Sequence, residues 1–156
     1  MPYEFIFSRR VEFAETDMAG IVHFANFYRM MENAEHAFFR SLGFSVHDQF
    51  DGQTIGWPRV SASCEFLRPL RFEELVDVHL FVVEVRTRSL RYAFRFWKTE
   101  GGDRLEVARG QVATVAAALD KATGKLSAVP IPMKIRESLQ AAPAELLTVF
   151  SPSKQN

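Results

Sequence analysis

The stretch DMAGIVHFANFY, at residues 17–28, contains the change of sequence pattern that decides the fold. Before it, apolar and polar residues alternate from Tyr3 to Phe13, which predicts a strand with one buried face. From Phe24 to Gly43 the apolar residues follow a three-and-four spacing, which predicts a helix. Further apolar residues widen this stripe, so we expect the helix to be largely enclosed by the rest of the chain.

The sequence after the helix predicts a series of antiparallel strands. Residues 44–58 contain glycines and a proline and indicate a connection. Alternating residues then predict four strands, with Gly110 as a bulge in the last: 60–66, 76–85, 90–97 and 105–119. A short helix is expected from Ile131-Pro132 to about Gln140. Because short turns favour antiparallel neighbours, we predict an α+β fold. In it, a curved antiparallel sheet of about five strands wraps around one long central helix.

The length of 156 residues fits one domain. We assign that domain to residues 1–140 and expect residues 141–156 to form a poorly ordered tail. Apolar residues make up 47% of the chain, which is enough to bury a core. Fifteen phenylalanines indicate an aromatic-rich interior or subunit interface.

The charged and metal-binding residue types argue against several classes of function. Lys plus Arg equals Asp plus Glu at 19 each, so no bulk field favours nucleic acid or an anionic membrane. The one cysteine, Cys64, makes no internal disulfide, and the four histidines lack metal-ligand spacing. We therefore expect no metal and no cofactor. The N-terminus lacks a secretory pattern and no run approaches the ~20 apolar residues of a membrane span, so the expected location is the cytoplasm.

The loop between the first strand and the helix has residues suited to acyl chemistry. Gly20 permits a tight turn, and the following backbone N–H groups belong to a helical turn without intrahelical acceptors. An acyl carbonyl oxygen placed at this positive helix end would be polarised. Asp17 then has the position to attack the carbonyl carbon or to activate a water. Asp17 and Asn26 also suit a structural turn and a helix cap, so both interpretations stay open.

Residues 17–28 closely resemble the signature of the 4-hydroxybenzoyl-CoA thioesterase family. That pattern is an Asp, a Gly three residues on, an apolar pair, and an aromatic residue or His before the central helix. Phe66-Leu67-Arg68-Pro69-Leu70 and Ile131-Pro132 are similar to two further segments of the family. The resemblance covers about residues 5–138 and implies a hot-dog fold that hydrolyses thioesters of coenzyme A.

The resemblance also implies roles for single residues. Asp17 matches the catalytic carboxylate, acting as nucleophile or as general base, and Gly20 matches the turn glycine. The backbone N–H of Phe24 matches the donor that polarises the carbonyl. In some relatives a His stands at this last position, whereas here it stands one place earlier.

The expected substrate-binding residues come from the helix and from two strand ends. Arg88-Ser89 is similar to a basic-Ser step that contacts the nucleotide in relatives. The complete expected set is His23, Tyr28, Met31, Glu32, Arg68, Arg88 and Ser89. Their structural alternatives are helix capping for the histidine, core packing for Tyr28 and Met31, and a solvated strand end for the arginines. Glu32 is notable because a carboxylate on so apolar a helix is costly to bury without a partner.

The resemblance implies a homodimer or a homotetramer built as a dimer of dimers, and an isolated sheet with an open edge supports this expectation. Two alternative functions remain on the same fold. One is a non-catalytic acyl-CoA binding or assembly protein, and the other is a dehydratase or hydratase. The acyl group stays open, as does the choice between coenzyme A and a carrier protein.

Overall fold

The computed structural model describes residues 1–151, which contain two antiparallel sheets, one long helix and one short helix. In chain order the elements are β1 (Glu4–Arg10), α1 (Phe24–Ser41), β2 (Asp48–Phe50), β3 (Gln53–Gly56), β4 (Arg59–Phe66), β5 (Leu75–Val85), β6 (Ser89–Glu100), β7 (Asp103–Val115), β8 (Ala117–Leu119), β9 (Leu126–Ala128) and α2 (Met133–Arg136). Short 3-10 helices lie at Phe13–Glu15, Ala144–Leu146 and Thr148–Phe150.

The main sheet has five strands in the order β1-β5-β6-β7-β4, and each neighbouring pair is antiparallel. The helix α1 contacts both edges of this sheet, through Phe38 against Phe5 of β1 and Glu35 against Arg59 of β4. Five flat strands span about 19 Å, whereas a helix is about 10 Å across. Contact with both edges therefore requires the sheet to curve. The expected α+β arrangement, a curved sheet around one long helix, is confirmed.

One side of α1 supplies much of the core. The ring centroids of Phe27 in α1 and Phe96 in β6 lie 5.3 Å apart, and those of Phe39 and Trp57 lie 5.4 Å apart. These contacts confirm the aromatic-rich interior. The opposite side of the helix, with Arg29 and Asn33, is exposed, so the helix is about half enclosed rather than largely enclosed.

A second sheet was missed by the sequence pattern. Residues 44–58, expected to be a connection, contain the hairpin β2–β3, which joins β8 and β9 in the order β2-β3-β8-β9. The expected strand at 105–119 is interrupted at Ala116, whose N–H donates to the carbonyl of Arg88 at 2.8 Å while its carbonyl accepts from Val129. The chain thereby leaves the main sheet and enters the second one.

Gly110 is not the bulge that we predicted. It pairs in register with Cys64 on one side and Phe94 on the other. A Cβ at this position would meet the Sδ of Met31, so any larger residue here would force the end of the Met31 side chain to move.

Three further expectations differ from the structure at the chain ends. Phe13 lies beyond β1 and is exposed, and the helix expected to reach Gln140 is the single turn α2. The tail expected to be poorly ordered follows a defined path as far as Ser151. Ala142 anchors that path, because it is buried and its N–H donates to the carbonyl of Val82 at 2.7 Å. The remaining tail residues, 152–156, lie outside the described residues.

Candidate active site

The loop between β1 and α1 is a tight turn closed by backbone hydrogen bonds. The Asp17 N–H donates to the carbonyl of Ile21 at 2.9 Å, and the Gly20 N–H donates to the carbonyl of Asp17 at 3.0 Å. Gly20 has a φ of 76°, a conformation that side-chain-bearing residues adopt only with strain. The sequence interpretation of Gly20 as the turn glycine is therefore consistent with its backbone geometry.

The start of α1 leaves one backbone donor free beside this turn. His23 is the N-cap residue, and its Nδ1 accepts a hydrogen bond from the Ala25 N–H at 3.2 Å. The Asn26 side chain and the His23 N–H both donate to the carbonyl of Glu15, at 2.8 and 2.9 Å, which fixes the helix end in place. The Phe24 N–H has no acceptor among residues 1–151. It is thus available to a ligand, as the resemblance implies.

Asp17 and the first turn of α1 line a cleft of about 380 Å³. Its other walls are mostly apolar: Ile21, Val22, Phe24, Phe27, Phe66, Leu67, Arg68, Pro69 and Leu70. Arg68 is the one cation in this lining, and its Nη1 donates to the carbonyl of Glu106 at 2.7 Å. The volume falls within the ~300–1,000 Å³ range of small-molecule sites.

The two oxygens of the Asp17 carboxylate differ in their hydrogen bonds. Its Oδ1 accepts a hydrogen bond from the Ala19 N–H at 2.8 Å, which is the geometry of a turn-forming aspartate. Within residues 1–151, its Oδ2 accepts no hydrogen bond from another residue. This oxygen is therefore unpaired within the described residues, while the other supports the turn.

Four of the expected substrate-binding residues lie outside this cleft within the described chain. His23 caps the helix, and Tyr28, Met31 and Glu32 line a second cavity further along α1. The sequence also singled out Glu32 as a carboxylate that would be costly to bury, but 52% of its side chain is exposed.

The buried carboxylate of the helix is Glu35, which the sequence interpretation missed. Its side chain is 2% exposed, and burial raises its pKa to about 7, while the nearby Arg59 opposes that rise. Residues three apart on a helix lie about 60° apart around its axis. The apolar stripe alone therefore did not distinguish Glu35 from its exposed neighbour Glu32.

Arg88 and Ser89 are also remote from the cleft within one chain. At the cleft end of β7, Ala108 pairs with Phe66, and at the other end Val115 pairs with Ser89. Seven residues of strand separate these two ends, which corresponds to about 23 Å. A single copy therefore does not bring the Arg88 hairpin and Asp17 together.

Other candidate groups play no part in the cleft. Burial raises the pKa of the Cys64 thiol to about 12, so it stays protonated at neutral pH, as expected for a packing residue. Residues 1–151 contain no cluster of three His, Cys, Asp or Glu side chains arranged to hold a metal ion. Over the same range, no helix has the length and apolar character to cross a membrane.

The family model of the Thioesterase-like superfamily matches residues 11–142. The chain belongs to this superfamily. It is 29% identical over 139 residues to the 1,4-dihydroxy-2-naphthoyl-CoA hydrolase of Thermosynechococcus vestitus, an alignment that covers 89% of this chain and 90% of the relative.

Two solved structures are similar to this superfamily member over nearly their whole length. A gentisyl-coenzyme A thioesterase is 34% identical with a TM-score of 0.71, covering 84% of this chain and 98% of that one. The 4-hydroxybenzoyl-CoA thioesterase of Pseudomonas sp. strain CBS-3 is 25% identical with a TM-score of 0.77, covering 88% and 99%. The hot-dog fold and the enzyme class implied by the resemblance are thereby confirmed: the protein is an acyl-CoA thioesterase.

Proposed function

We propose that this thioesterase hydrolyses its acyl-CoA substrate in the Asp17 cleft, with the Asp17 carboxylate as the catalytic group. The observation that supports this proposal is that Asp17, which has an unpaired carboxylate oxygen, and Phe24, whose backbone N–H is unpaired, both line one mostly apolar cleft. An acyl carbonyl oxygen that accepts from this N–H also faces the positive end of α1. Both interactions strengthen as negative charge develops on that oxygen.

Two routes use this geometry and stay open in the proposal. In the first, Asp17 removes a proton from water, the hydroxide adds to the carbonyl carbon, and the intermediate expels the CoA thiolate, which takes up the proton. In the second, the Asp17 oxygen attacks the carbonyl carbon itself and expels the thiolate, and water then hydrolyses the resulting anhydride. The products are the free acid and coenzyme A in both cases. Neither route requires a metal or a cofactor.

The experiment compares two aspartates that form the same turn. Asp120 also accepts a hydrogen bond from the N–H two residues on, Ala122, at 2.9 Å, but it lies away from the cleft. Asparagine keeps the accepting oxygen and removes the charge, so both turns persist. We expect Asp17→Asn to lower kcat by about 10²- to 10⁴-fold and Asp120→Asn to leave it unchanged. Near-full activity of Asp17→Asn on a good substrate would refute the assignment.

We also propose that the working enzyme is at least a homodimer, joined through β4. This strand is a sheet edge, and its side chains are largely exposed, including Val60 at 63% and Phe66 at 48%. Unpaired edges of this kind favour pairing with another strand.

Antiparallel pairing of two β4 edges has a consequence for the substrate. It places the Arg88 hairpin of one copy at the same end of the joined sheet as the Asp17 cleft of the other. The 3'-phosphate and pyrophosphate of coenzyme A would then meet Arg88 of the other copy, which a single copy does not bring to its own cleft. Light scattering at micromolar concentration should give at least twice the chain mass of 17.8 kDa, and a monomer would contradict the proposal.

A further inference from the structure

The Asp17 cleft has two walls that a backbone hydrogen bond joins. The first wall is the loop that carries Asp17 together with the start of α1, and the second is the segment after β4, which includes Pro69 and Leu70. The Val22 N–H, near the end of the loop, donates to the carbonyl of Leu70 at 2.7 Å. The position of the second wall therefore fixes one end of the loop.

The segment after β4 also holds the other end of the loop. The Val11 N–H donates to the carbonyl of Glu74 at 2.9 Å, and the Glu73 N–H donates to the carbonyl of Val11 at 3.1 Å. Val11 directly follows β1, so residues 69–74, which we call the frame segment, contact the chain both before and after the loop. A shift of the frame segment would thus move the loop that carries Asp17.

A buried lysine of β6 holds both ends of the frame segment. The side chain of Lys98 is 4% exposed, and its Nζ donates to the carbonyl of Pro69 at 2.9 Å. The same Nζ lies 3.3 Å from each carboxylate oxygen of Glu74 and 3.3 Å from Oε2 of Glu100. The Arg71 N–H also donates to Oε2 of Glu74 at 2.8 Å, which closes the turn inside the segment. One ammonium group therefore ties the start of the frame segment to its end.

The burial of this ammonium has a cost that packing alone does not require. Lysine is rarely buried without partners, because its charged group loses hydration in the protein interior. An apolar side chain at position 98 would avoid that loss, but it would leave the Pro69 carbonyl without this donor. Lys98 thus contributes directed hydrogen bonds to the wall of the cleft as well as packing.

We propose that Lys98 is a positioning residue for thioester hydrolysis, which fixes the frame segment and thereby the placement of the Asp17 carboxylate relative to the Phe24 N–H. The inference rests on the proposed function and adds to it a residue that acts on the reaction through the cleft wall. A displacement of reacting groups by about 1 Å lowers a rate by about 10²-fold, so a small shift of the loop is sufficient.

The test measures kcat for Lys98→Met in two backgrounds, the wild type and Asp17→Asn. Methionine keeps an unbranched side chain and removes the ammonium group. The substrate is the CoA ester that the wild type hydrolyses fastest among benzoyl, phenylacetyl and straight-chain aliphatic esters. We expect kcat to fall by about ten- to a hundred-fold in the wild-type background. In the Asp17→Asn background the further loss should be less than about twofold, because the remaining rate no longer depends on where the carboxylate lies.

The comparison of backgrounds separates positioning from stability. A smaller folded fraction alone would lower kcat by the same factor in both backgrounds. The matched control is Thr114→Val, which also removes a buried donor to a backbone carbonyl, that of Leu90 at 3.4 Å. Thr114 lies towards the end of β7 that is remote from the cleft, so this variant should leave kcat unchanged.

A second variant covers the case in which Lys98→Met does not fold, as judged by circular dichroism. Glu74→Gln removes the charge that pairs with Lys98 and keeps an oxygen for the Arg71 N–H. It should lower kcat several-fold in the wild-type background only. Full kcat in the deciding variant, or an equal loss in both backgrounds, overturns this inference and leaves the proposed function intact. Near-full activity of Asp17→Asn overturns the proposed function and this inference with it.

Discussion

The burial of Glu35 makes a prediction about how the free energy of unfolding depends on pH. The pKa of this carboxyl is raised from 4.5 to about 7, mainly by burial, with Arg59 opposing the rise and Glu32 adding to it. The folded protein therefore binds this proton more tightly than the unfolded chain does. The stability that the proton contributes is complete below pH 4.5 and is lost as the pH rises through about 7. The gap between the two pKa values corresponds to about 3 kcal/mol.

Glu35→Gln removes this dependence, because glutamine is neutral at every pH. We expect the variant to become more stable relative to the wild type as the pH rises from 5 to 8, by up to about 3 kcal/mol. Urea unfolding at both pH values, at one fixed protein concentration, measures the difference. Subtracting the two proteins removes the contributions of all other titrating groups that do not interact with residue 35.

Arg59→Gln provides a variant with the opposite expectation. It removes the positive charge that limits the rise in the Glu35 pKa, so the loss of stability towards high pH should become larger than in the wild type. The reasoning is refuted if Glu35→Gln differs from the wild type by the same free energy at pH 5 and pH 8. Such a result would mean that the carboxyl ionises in the folded protein as readily as in the unfolded chain.

Three further substitutions test other contacts. Gly110→Ala should lower the free energy of unfolding by about 1–3 kcal/mol because its Cβ meets Met31, and the cost should largely disappear in a Met31→Ala background; an equal cost in both backgrounds contradicts the proposed contact. Tyr92→Phe removes a buried hydroxyl that has no partner among the described residues, so unfolding should need about 1 kcal/mol more, and a loss of stability would reveal an unseen partner. Arg88→Ala should raise KM for CoA esters several-fold with little change in kcat, and an unchanged KM would argue against a contact with coenzyme A.

Much of the main sheet and the long helix could be predicted from periodicity. Alternation placed the strands close to their observed ranges, and the helix was expected to begin at Phe24, where α1 begins. Both patterns arise within one segment of chain, so neighbouring residues suffice to detect them. The hairpin β2–β3 escaped notice because its strands are only three and four residues long, and because β3 pairs with β8, about 60 residues later.

In the site, too, the features that depend on one segment of chain could be predicted, and those that depend on distant segments could not. The turn at Asp17 and Gly20 and the free N–H at Phe24 depend on local backbone geometry, and the sequence indicated all three. The separation of Arg88 from the cleft depends on which strand ends meet across the sheet. The distance between Arg88 and the cleft becomes visible only from the pairing of β4 and β6 with β7.

The amino-acid sequence by itself determined the succession of β1, α1, β4, β5, β6 and β7 along the chain, the family, and the position of the loop carboxylate. Tertiary structure alone decided that Glu35 rather than Glu32 is buried, and that Gly110 leaves room for the Met31 side chain of α1 instead of forming a bulge. The physical reason is that the burial of a side chain depends on which other segment of the chain packs against it. Arg59 of β4 packs against Glu35, and Met31 of α1 packs against Gly110. Both contacts join segments that are distant in the sequence and meet only when the chain folds.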